Sequence, residues 1–188
     1  MTEVAKFPSI PRLFHGDMVI TEKVDGMCCA VRVSKDGEVR AQTRTKLLPR
    51  STDPGMCDSC TGQGFSRWVH LWEDELGAIL GPGVHWGEWF GHDINRGYGL
   101  KHRQFALFNT GRWKQSDLRL IPSLKVVPTI HTGPFSTVSI CVETAKLESN
   151  GSAIVPGYMA PEGVIVYLTE AQQYFKYTLK GDQRKRGW

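Results

Sequence analysis

Short runs of apolar and β-branched residues, closed by Gly, Pro, Asn or Asp, recur along this 188-residue chain. Residues 19–33 are rich in β-branched side chains, and residues 38–44 alternate after Asp36-Gly37. This pattern predicts a β-hairpin that turns at Asp36-Gly37. Shorter runs predict further strands over 84–90, 105–108, 124–127, 163–168 and 174–179.

Two other segments have the spacing of helices. Apolar residues recur at three- and four-residue steps over 65–80, which predicts one amphipathic helix ended by Gly81-Pro82-Gly83. A second helix is predicted to start after Ser136 and to stop at Asn150-Gly151. Its predicted buried side consists of Val138, Cys141, Val142 and Ala145.

Strands therefore outnumber helices and are linked partly by hairpins. This order predicts an α+β fold with largely antiparallel sheets and flanking helices, rather than a doubly wound parallel sheet. The chain has no repeat, linker or low-complexity tract, so we expect one domain over residues 1–188. Its 40% hydrophobic content is sufficient for a core without disulfides.

Charge and cysteine content narrow the class of protein only modestly. The net charge of +4 is compatible with a polyanionic partner. Five cysteines, an odd number, and a start without signal-peptide features indicate free thiols in a reducing cytoplasm. No run approaches the roughly 20 apolar residues that span a bilayer, so we expect no membrane partner.

One short motif is the first sign of chemistry. Thr21-Glu22-Lys23-Val24-Asp25-Gly26 places a lysine at the end of a predicted strand, two residues before an acid and just ahead of a glycine turn. Lys-x-Asp-Gly is common in surface turns and indicates little alone. Further segments follow in a definite order: Arg44-Thr45-Lys46, Gly87-Glu88-Trp89-Phe90-Gly91, Phe105-Ala106-Leu107-Phe108-Asn109, Pro161-Glu162-Gly163-Val164 and Tyr174-Phe175-Lys176-Tyr177-Thr178-Leu179-Lys180.

In this order the segments resemble the covalent nucleotidyltransferase superfamily of DNA ligases, RNA ligases and mRNA capping enzymes. They are most similar to RNA ligases of the bacteriophage and RNA-editing type. The resemblance runs from about Thr21 to Lys180 and implies a ligase-type, ATP-grasp-like nucleotidyltransferase domain.

The resemblance also implies catalytic roles. Lys23 would attack the α-phosphate of the nucleotide, Glu162 would help to hold a divalent metal, and Lys176 would contact the α-phosphate. The family's second lysine is replaced here by Thr178. Lys180 would lie on the same face of a strand and is the candidate substitute.

The remaining matched residues would form the nucleotide pocket. Glu22 would contact the adenine edge, and Asp25, followed by Gly26, would support the ribose and the lysine. Glu88 would accept hydrogen bonds from ribose hydroxyls, because a carboxylate can accept from both. The other two are Arg44, which would contact ribose or the incoming strand, and Phe108, which would stack on the purine.

The implied activity is ATP-dependent RNA ligation with Mg²⁺ or, as an alternative, Mn²⁺. Lysyl-AMP would form on Lys23, AMP would move to an RNA 5′-phosphate, and a 3′-hydroxyl would then seal the strand. Too few residues follow Lys180 for a separate C-terminal domain, so we expect a minimal enzyme or a protein partner that supplies that role. The small size of the chain is consistent with a bacteriophage RNA-repair enzyme that acts in the host cytoplasm.

Several alternatives stay open from the sequence. A capping-type guanylyltransferase would use GTP, a DNA ligase would seal DNA, and a non-catalytic module would only bind nucleic acid.

Cys57-Asp58-Ser59-Cys60 has the spacing of half a zinc site but no second pair, which favours an exposed loop with two free thiols. The stretch 92–103 is either a nucleic-acid path or a solvated basic loop. The basic tail 180–188 either touches the phosphate backbone or is a frayed terminus.

Overall fold

Two β-sheets form the framework in a computed structural model that describes residues 16–50 and 57–179. One sheet, here called sheet A, has four antiparallel strands in the order β7-β1-β8-β9, and sheet B has five in the order β3-β2-β4-β5-β6. Only β5 and β6 pair in parallel among the described strands, which confirms the predicted α+β class. The strands are β1 Asp17–Lys23, β2 Met27–Val33, β3 Val39–Thr43, β4 Gly83–Gly91, β5 Arg103–Leu107, β6 Leu124–Val126, β7 Thr129–Pro134, β8 Gly163–Leu168 and β9 Gln173–Thr178.

The predicted hairpin is confirmed, because β2 pairs with β3 across the turn at Asp36-Gly37. The β-branched stretch before it is not one strand. It divides into β1 in sheet A and β2 in sheet B, with residues 24–26 as the crossing point. Gly26 allows this crossing, since a Cβ there would collide with the Trp89 carbonyl of β4.

Helices cover one face of sheet B. The helix predicted over 65–80 is two helices, α1 Phe65–Leu71 and α2 Glu73–Leu80, because Trp72 leaves helical geometry at φ −115° and ψ 23°. The predicted stop is confirmed at Gly81. Four aromatic side chains, whose neighbouring ring centroids are 4.9–5.7 Å apart, join α1 to the sheet: Phe65, Trp68, Trp89 and Phe105.

The third helix, α3 Thr137–Asn150, packs on sheet A, and its predicted bounds are confirmed. Its predicted buried side is wrong: Val138 is 70% exposed, Val142 is 44% exposed, and Cys141 and Ala145 are also exposed. Thr144 and Leu147 are buried instead, and the Thr144 hydroxyl is satisfied by the carbonyl of Ile140 at 2.7 Å. Two sets of residues along α3 have helical spacing. The set that includes the polar Thr144 faces sheet A, and the more apolar set faces solvent. Within the described residues, no helix is long and apolar enough to cross a bilayer.

Replacing Ser136 by alanine should lower the free energy of unfolding by about 1 kcal/mol. The Ser136 hydroxyl caps α3 by accepting a hydrogen bond from the Ser139 amide at 3.2 Å. Urea denaturation measures the change, and Thr137→Ala on the exposed first turn serves as the control. Equal stability of the two variants would show that this cap contributes nothing.

Candidate active site

The lysine of the first motif and the glutamate of the fourth meet where the two sheets adjoin. Lys23 is the last residue of β1, and Glu162 precedes β8, whose Gly163 is the register partner of Lys23. The Lys23 Nζ donates to Glu162 Oε2 at 2.6 Å, and the two side chains are 23% and 18% exposed. Antiparallel pairing therefore joins two residues that are 139 positions apart in the chain.

A third carboxylate, Glu88, approaches this ion pair from sheet B. Burial is the main cause that raises the pKa of Glu88 to about 7, with a smaller contribution from the Glu162 and Asp25 carboxylates. The Lys23 charge and a hydrogen bond from the Gly26 amide oppose this rise. These influences indicate that Lys23, Glu162 and Asp25 all lie near Glu88. The site thus combines one lysine with three acids, and Glu88 comes from sheet B whereas Lys23 comes from sheet A.

Replacing Glu88 by glutamine should stabilise the fold at pH 8 by about 1–3 kcal/mol. Its folded pKa of about 7 lies above the ordinary 4.5, so the folded state binds this proton more tightly than the unfolded state. The wild-type protein therefore gains stability as the pH falls from 7 towards 4.5, and the charged carboxylate is costly above pH 7. Glutamine has no such titration, so the difference between the two proteins should shrink towards pH 5.

Denaturant unfolding between pH 5 and pH 8 measures this difference, with Glu148→Gln on the exposed side of α3 as the control. A stability difference between Glu88→Gln and wild type that is the same at every pH would contradict the environment assigned to Glu88.

The loop between β4 and β5 holds the aspartate of the first motif. Arg96 Nε donates to Asp25 Oδ2 at 2.7 Å, and Asn95 Nδ2 donates to Asp25 Oδ1 at 2.9 Å. The Asp25 amide donates to the Tyr98 hydroxyl at 2.7 Å. Arg96 also donates to the carbonyl of Ala160 at 3.0 Å, two residues before Glu162. Arg96 therefore ties the first motif to the fourth.

Sequence reasoning missed this role of Asn95, Arg96 and Tyr98. From the sequence, residues 92–103 are predicted to be either a nucleic-acid path or a solvated basic loop. In the structure, Arg96 forms an ion pair with Asp25 instead. Asn95 and Tyr98 have φ values of 46° and 54°, and Gly97 and Gly99 lie beside them. The alternation of Gly with larger residues was the sequence signal for a tightly bent loop.

Glu22 faces away from Lys23, because side chains alternate along β1. It is 1% exposed and accepts hydrogen bonds from the Ser152 hydroxyl at 2.6 Å, the Ala153 amide at 2.7 Å and the Ile154 amide at 2.9 Å. Burial raises the pKa of Glu22, and these hydrogen bonds oppose the rise. Its carboxylate thus anchors the segment after α3, and direct contact with an adenine edge stays a prediction.

Phe108 and Arg44 lie on the rim of the site. Phe108 is half-buried and packs at the edge of an apolar cluster between the sheets. Arg44 is exposed at the end of β3 and is hydrogen-bonded to the Cys28 thiol, whose register partner is Glu88. Core members of this cluster are Val24, Phe90, Tyr98, Ala106 and Val127, and its partly buried members include Ile154, Val155 and Tyr158.

The last motif lies on β9, at the edge of sheet A. Lys176 is exposed and is the register partner of Ile165, on the same face of the sheet as Lys23. Thr178 occupies the position opposite Gly163. Lys180 and the basic tail 180–188 lie outside the described residues, so their predicted contacts stay predictions.

A metal site is not preassembled in the part of the chain that the structure describes. No group of three or more His, Cys, Asp or Glu side chains there is arranged to hold a metal ion. Glu162 is instead paired with Lys23. The acids present suit Mg²⁺, a hard cation that often binds through one or two carboxylates together with substrate phosphates.

Comparisons with solved structures find proteins of the same fold. Similar solved structures include Naegleria gruberi RNA ligase in three forms. A mutant with ATP and Mn has a TM-score of 0.62 and 15% identity over 89% of this chain and 51% of that chain. The form with PPi has a TM-score of 0.62 and 17% identity over 87% and 50%. Another mutant, with AMP and Mn, has a TM-score of 0.60 and 16% identity over 88% and 50%.

These TM-scores show a shared fold, and this chain spans about half the length of the structures it matches. A search of curated proteins finds no match. A family profile described as RNA ligase, however, matches residues 16–178, a range that contains Lys23, Glu88 and Glu162. Since this match covers most of the chain and the lysine and acids it contains converge in one site, the chain belongs to the RNA ligase family.

Proposed function

We propose that this protein is an ATP-dependent RNA ligase that becomes covalently adenylated on Lys23. The observation that carries the proposal is the Lys23–Glu162 pair at 2.6 Å, with Glu88 and Asp25 beside it and the half-buried Phe108 on the rim. A lysine that only stabilised the fold would not need three nearby carboxylates. A nucleotide with a ribose, phosphates and a divalent cation would use all of these groups.

In the first step, Lys23 attacks the α-phosphorus of ATP. An N–P bond forms, the bond to pyrophosphate breaks, and lysyl-AMP results. The amine must lose its proton to act as a nucleophile, so the ion pair with Glu162 has to separate first. Mg²⁺ or Mn²⁺, held by Glu162, would offset the phosphate charge when bound. Lys176, on the same face as Lys23, contacts the α-phosphate.

The second and third steps act on RNA. A 5′-phosphate oxygen attacks the lysyl-AMP phosphorus, and Lys23 leaves with a proton. A 3′-hydroxyl then attacks the activated 5′-phosphate, a phosphodiester bond forms and AMP departs. Glu88 orients the ribose throughout by accepting hydrogen bonds from its hydroxyls. A partner that supplies further RNA contacts, the single-domain organisation and the phage origin stay predictions.

The decisive experiment presents the purified protein with Mg²⁺ and either α-labelled ATP or α-labelled GTP. Label from ATP that stays on the denatured protein, followed by sealing of broken RNA but not of nicked DNA, is the expected result. Label from GTP alone would point to a capping-type guanylyltransferase, and sealing of DNA alone would point to a DNA ligase. No label from either nucleotide would favour a non-catalytic binding module.

Replacing Phe108 by alanine should weaken ATP binding about tenfold, because stacking on an aromatic ring is worth about 1–3 kcal/mol per base. Isothermal titration calorimetry with ATP and with ribose 5-triphosphate measures the effect. Only ATP should show the loss, since the second compound has no base. Phe108→Tyr keeps the ring and should bind ATP like the wild type, whereas equal weakening for both compounds would point to a collapsed pocket.

A further inference from the structure

The face of sheet B that turns away from α1 and α2 carries several exposed side chains next to the candidate active site. Strand alternation places Cys29, Val31 and Val33 on the helix side, where they are buried. Their neighbours Arg32 on β2 and Arg40 on β3 lie on the opposite side. We call this opposite side the outer face of sheet B, defined by Arg32, Arg40, Arg44, Val84 and Trp86.

Positive charge is concentrated on the outer face. Arg32 is the direct register partner of Arg40, and like charges in such pairs are destabilising. Their neutralisation within the sheet is incomplete: Arg32 donates to the neutral Gln42 side chain at 3.1 Å, and Arg40 donates to Glu38 at 3.1 Å. Arg44 extends the row towards Cys28 and Glu88. Two facing arginines suit a polyanion that supplies the missing negative charge.

An aromatic and an apolar side chain lie beside this charge. Trp86 is 37% exposed and Val84 is 46% exposed, although both are large apolar residues in the middle strand of the sheet. Val84 is the register partner of Arg32. The Phe108 amide donates to the Trp86 carbonyl at 3.0 Å, so Trp86 is next to the ring assigned to the adenine. A base stacked on Trp86 would thus lie directly beside the nucleotide pocket.

We propose that the outer face of sheet B binds single-stranded RNA adjacent to the strand end that is being joined. Arg32, Arg40 and Arg44 contact successive phosphates, and Trp86 stacks on a base. Aromatic rings interleaved with cations are the recurring device for single strands, because every base has a face to stack and every linkage has a charge. This inference rests on the proposed ligase function and names the surface that delivers its substrate.

The test measures binding of a 5′-phosphorylated single-stranded RNA by fluorescence anisotropy over a range of salt concentrations. Arg32→Ala/Arg40→Ala should lower the affinity at least tenfold and reduce the slope of log K against log salt by about 1.4, or about 0.7 per lost cation. Trp86→Ala should weaken binding about tenfold, and Trp86→Phe should restore most of it. Lys146→Ala, which removes a positive charge from α3 on sheet A, is the control for loss of charge away from the outer face and should leave the affinity near that of the wild type.

Self-adenylation separates this inference from the proposed function. Arg32→Ala/Arg40→Ala and Trp86→Ala should take label from ATP at the wild-type rate, because none of these three residues belongs to the nucleotide pocket. If the wild-type protein takes label and binds RNA, but the outer-face variants bind RNA with unchanged affinity and salt slope, the surface is assigned wrongly. If the wild-type protein takes no label, the proposed function fails instead.

A separate observation concerns two exposed thiols on the segment that leads into α1. The Cys57 and Cys60 sulfur atoms are 2.6 Å apart, and the Ser59 hydroxyl lies 3.1 Å from Cys57 Sγ. Hydrogen bonds with the Cys60 and Ser59 side chains lower the pKa of Cys57 to about 7, so a large fraction is thiolate near neutral pH. Asp58 secures this turn through Arg103 at 2.9 Å and Arg67 at 3.1 Å.

We infer that Cys57 and Cys60 form a reversible disulfide with peroxide as the oxidant. The Cys57 thiolate attacks one peroxide oxygen, the O–O bond breaks and hydroxide leaves, which produces a sulfenic acid. Cys60 sulfur then attacks Cys57 sulfur, the S–O bond breaks and water leaves with the Cys60 proton. Both sulfurs are oxidised by one electron, and the peroxide is reduced by two.

Peroxide treatment followed by alkylation and peptide mass spectrometry tests this site. The expected product is a peptide that has lost two hydrogens, resists alkylation and recovers both thiols with dithiothreitol. Cys57→Ser should block the product, and Cys141, an exposed lone thiol on α3, should form no intramolecular disulfide. Alkylation of both Cys57 and Cys60 after peroxide, or zinc that co-purifies and protects them, would overturn the inference.

Discussion

Replacing Lys23 by alanine should abolish transfer of label from α-labelled ATP to the protein. The lysine Nζ is the nucleophile of the proposed first step, and within the described residues it is the amine that lies in contact with Glu162 and beside Glu88. Alanine offers no atom that can form the N–P bond, so the expected loss is complete within the sensitivity of a gel assay. RNA that already carries a 5′-adenylate should still be joined, because that last step does not need the amine.

Two controls distinguish the loss of a nucleophile from the loss of a structural ion pair. Lys23→Arg keeps a positive charge next to Glu162 but should also take no label, because guanidinium stays protonated. Lys146→Ala, which removes an exposed lysine from α3, should take label normally. Full labelling of Lys23→Ala would place the nucleophile elsewhere and would contradict the central assignment.

Replacing Arg96 by alanine should slow self-adenylation about a hundredfold, since misplacement of a reacting group by about 1 Å has a cost of that order. The variant loses both the 2.7 Å contact with Asp25 and the 3.0 Å contact with the Ala160 carbonyl. The first motif and the segment before Glu162 would then move independently. We expect the rate constant at saturating ATP to fall more than the ATP affinity, because Arg96 positions Lys23 and Glu162 rather than binding the base.

Arg50→Ala is the matched control, since Arg50 also pairs with a carboxylate, Glu73 at 2.7 Å, but on an exposed surface. Such pairs contribute little, so its labelling rate should stay near that of the wild type. Arg96→Lys should recover part of the rate, because one cation cannot reproduce both directed contacts. Equal rates for Arg96→Ala and Arg50→Ala would show that the loop does not position the site.

Much of this protein follows from the order of its residues. The alternating runs specify most of the strands, the turn at Asp36-Gly37 and the stops at Gly81 and Gly151, since local periodicity and turn chemistry act over a few residues. The ordered motifs also indicated the residues that meet in the site. Lys23 ends β1 and Glu162 directly precedes β8, so the two motifs meet where these strands pair.

Tertiary packing decided the rest. The helix predicted over 65–80 breaks at Trp72, and α3 buries Thr144 and Leu147 rather than the more apolar row, because the shape of the opposing sheet selects the face. The clamp of Arg96 on Asp25 joins positions 71 residues apart, and no local pattern encodes that pairing. The sequence by itself determined which chemical groups are available and which strands carry them. Only the crossing of the chain between the two sheets decided which of these groups face one another. The distances between their side chains depend on how the whole core packs.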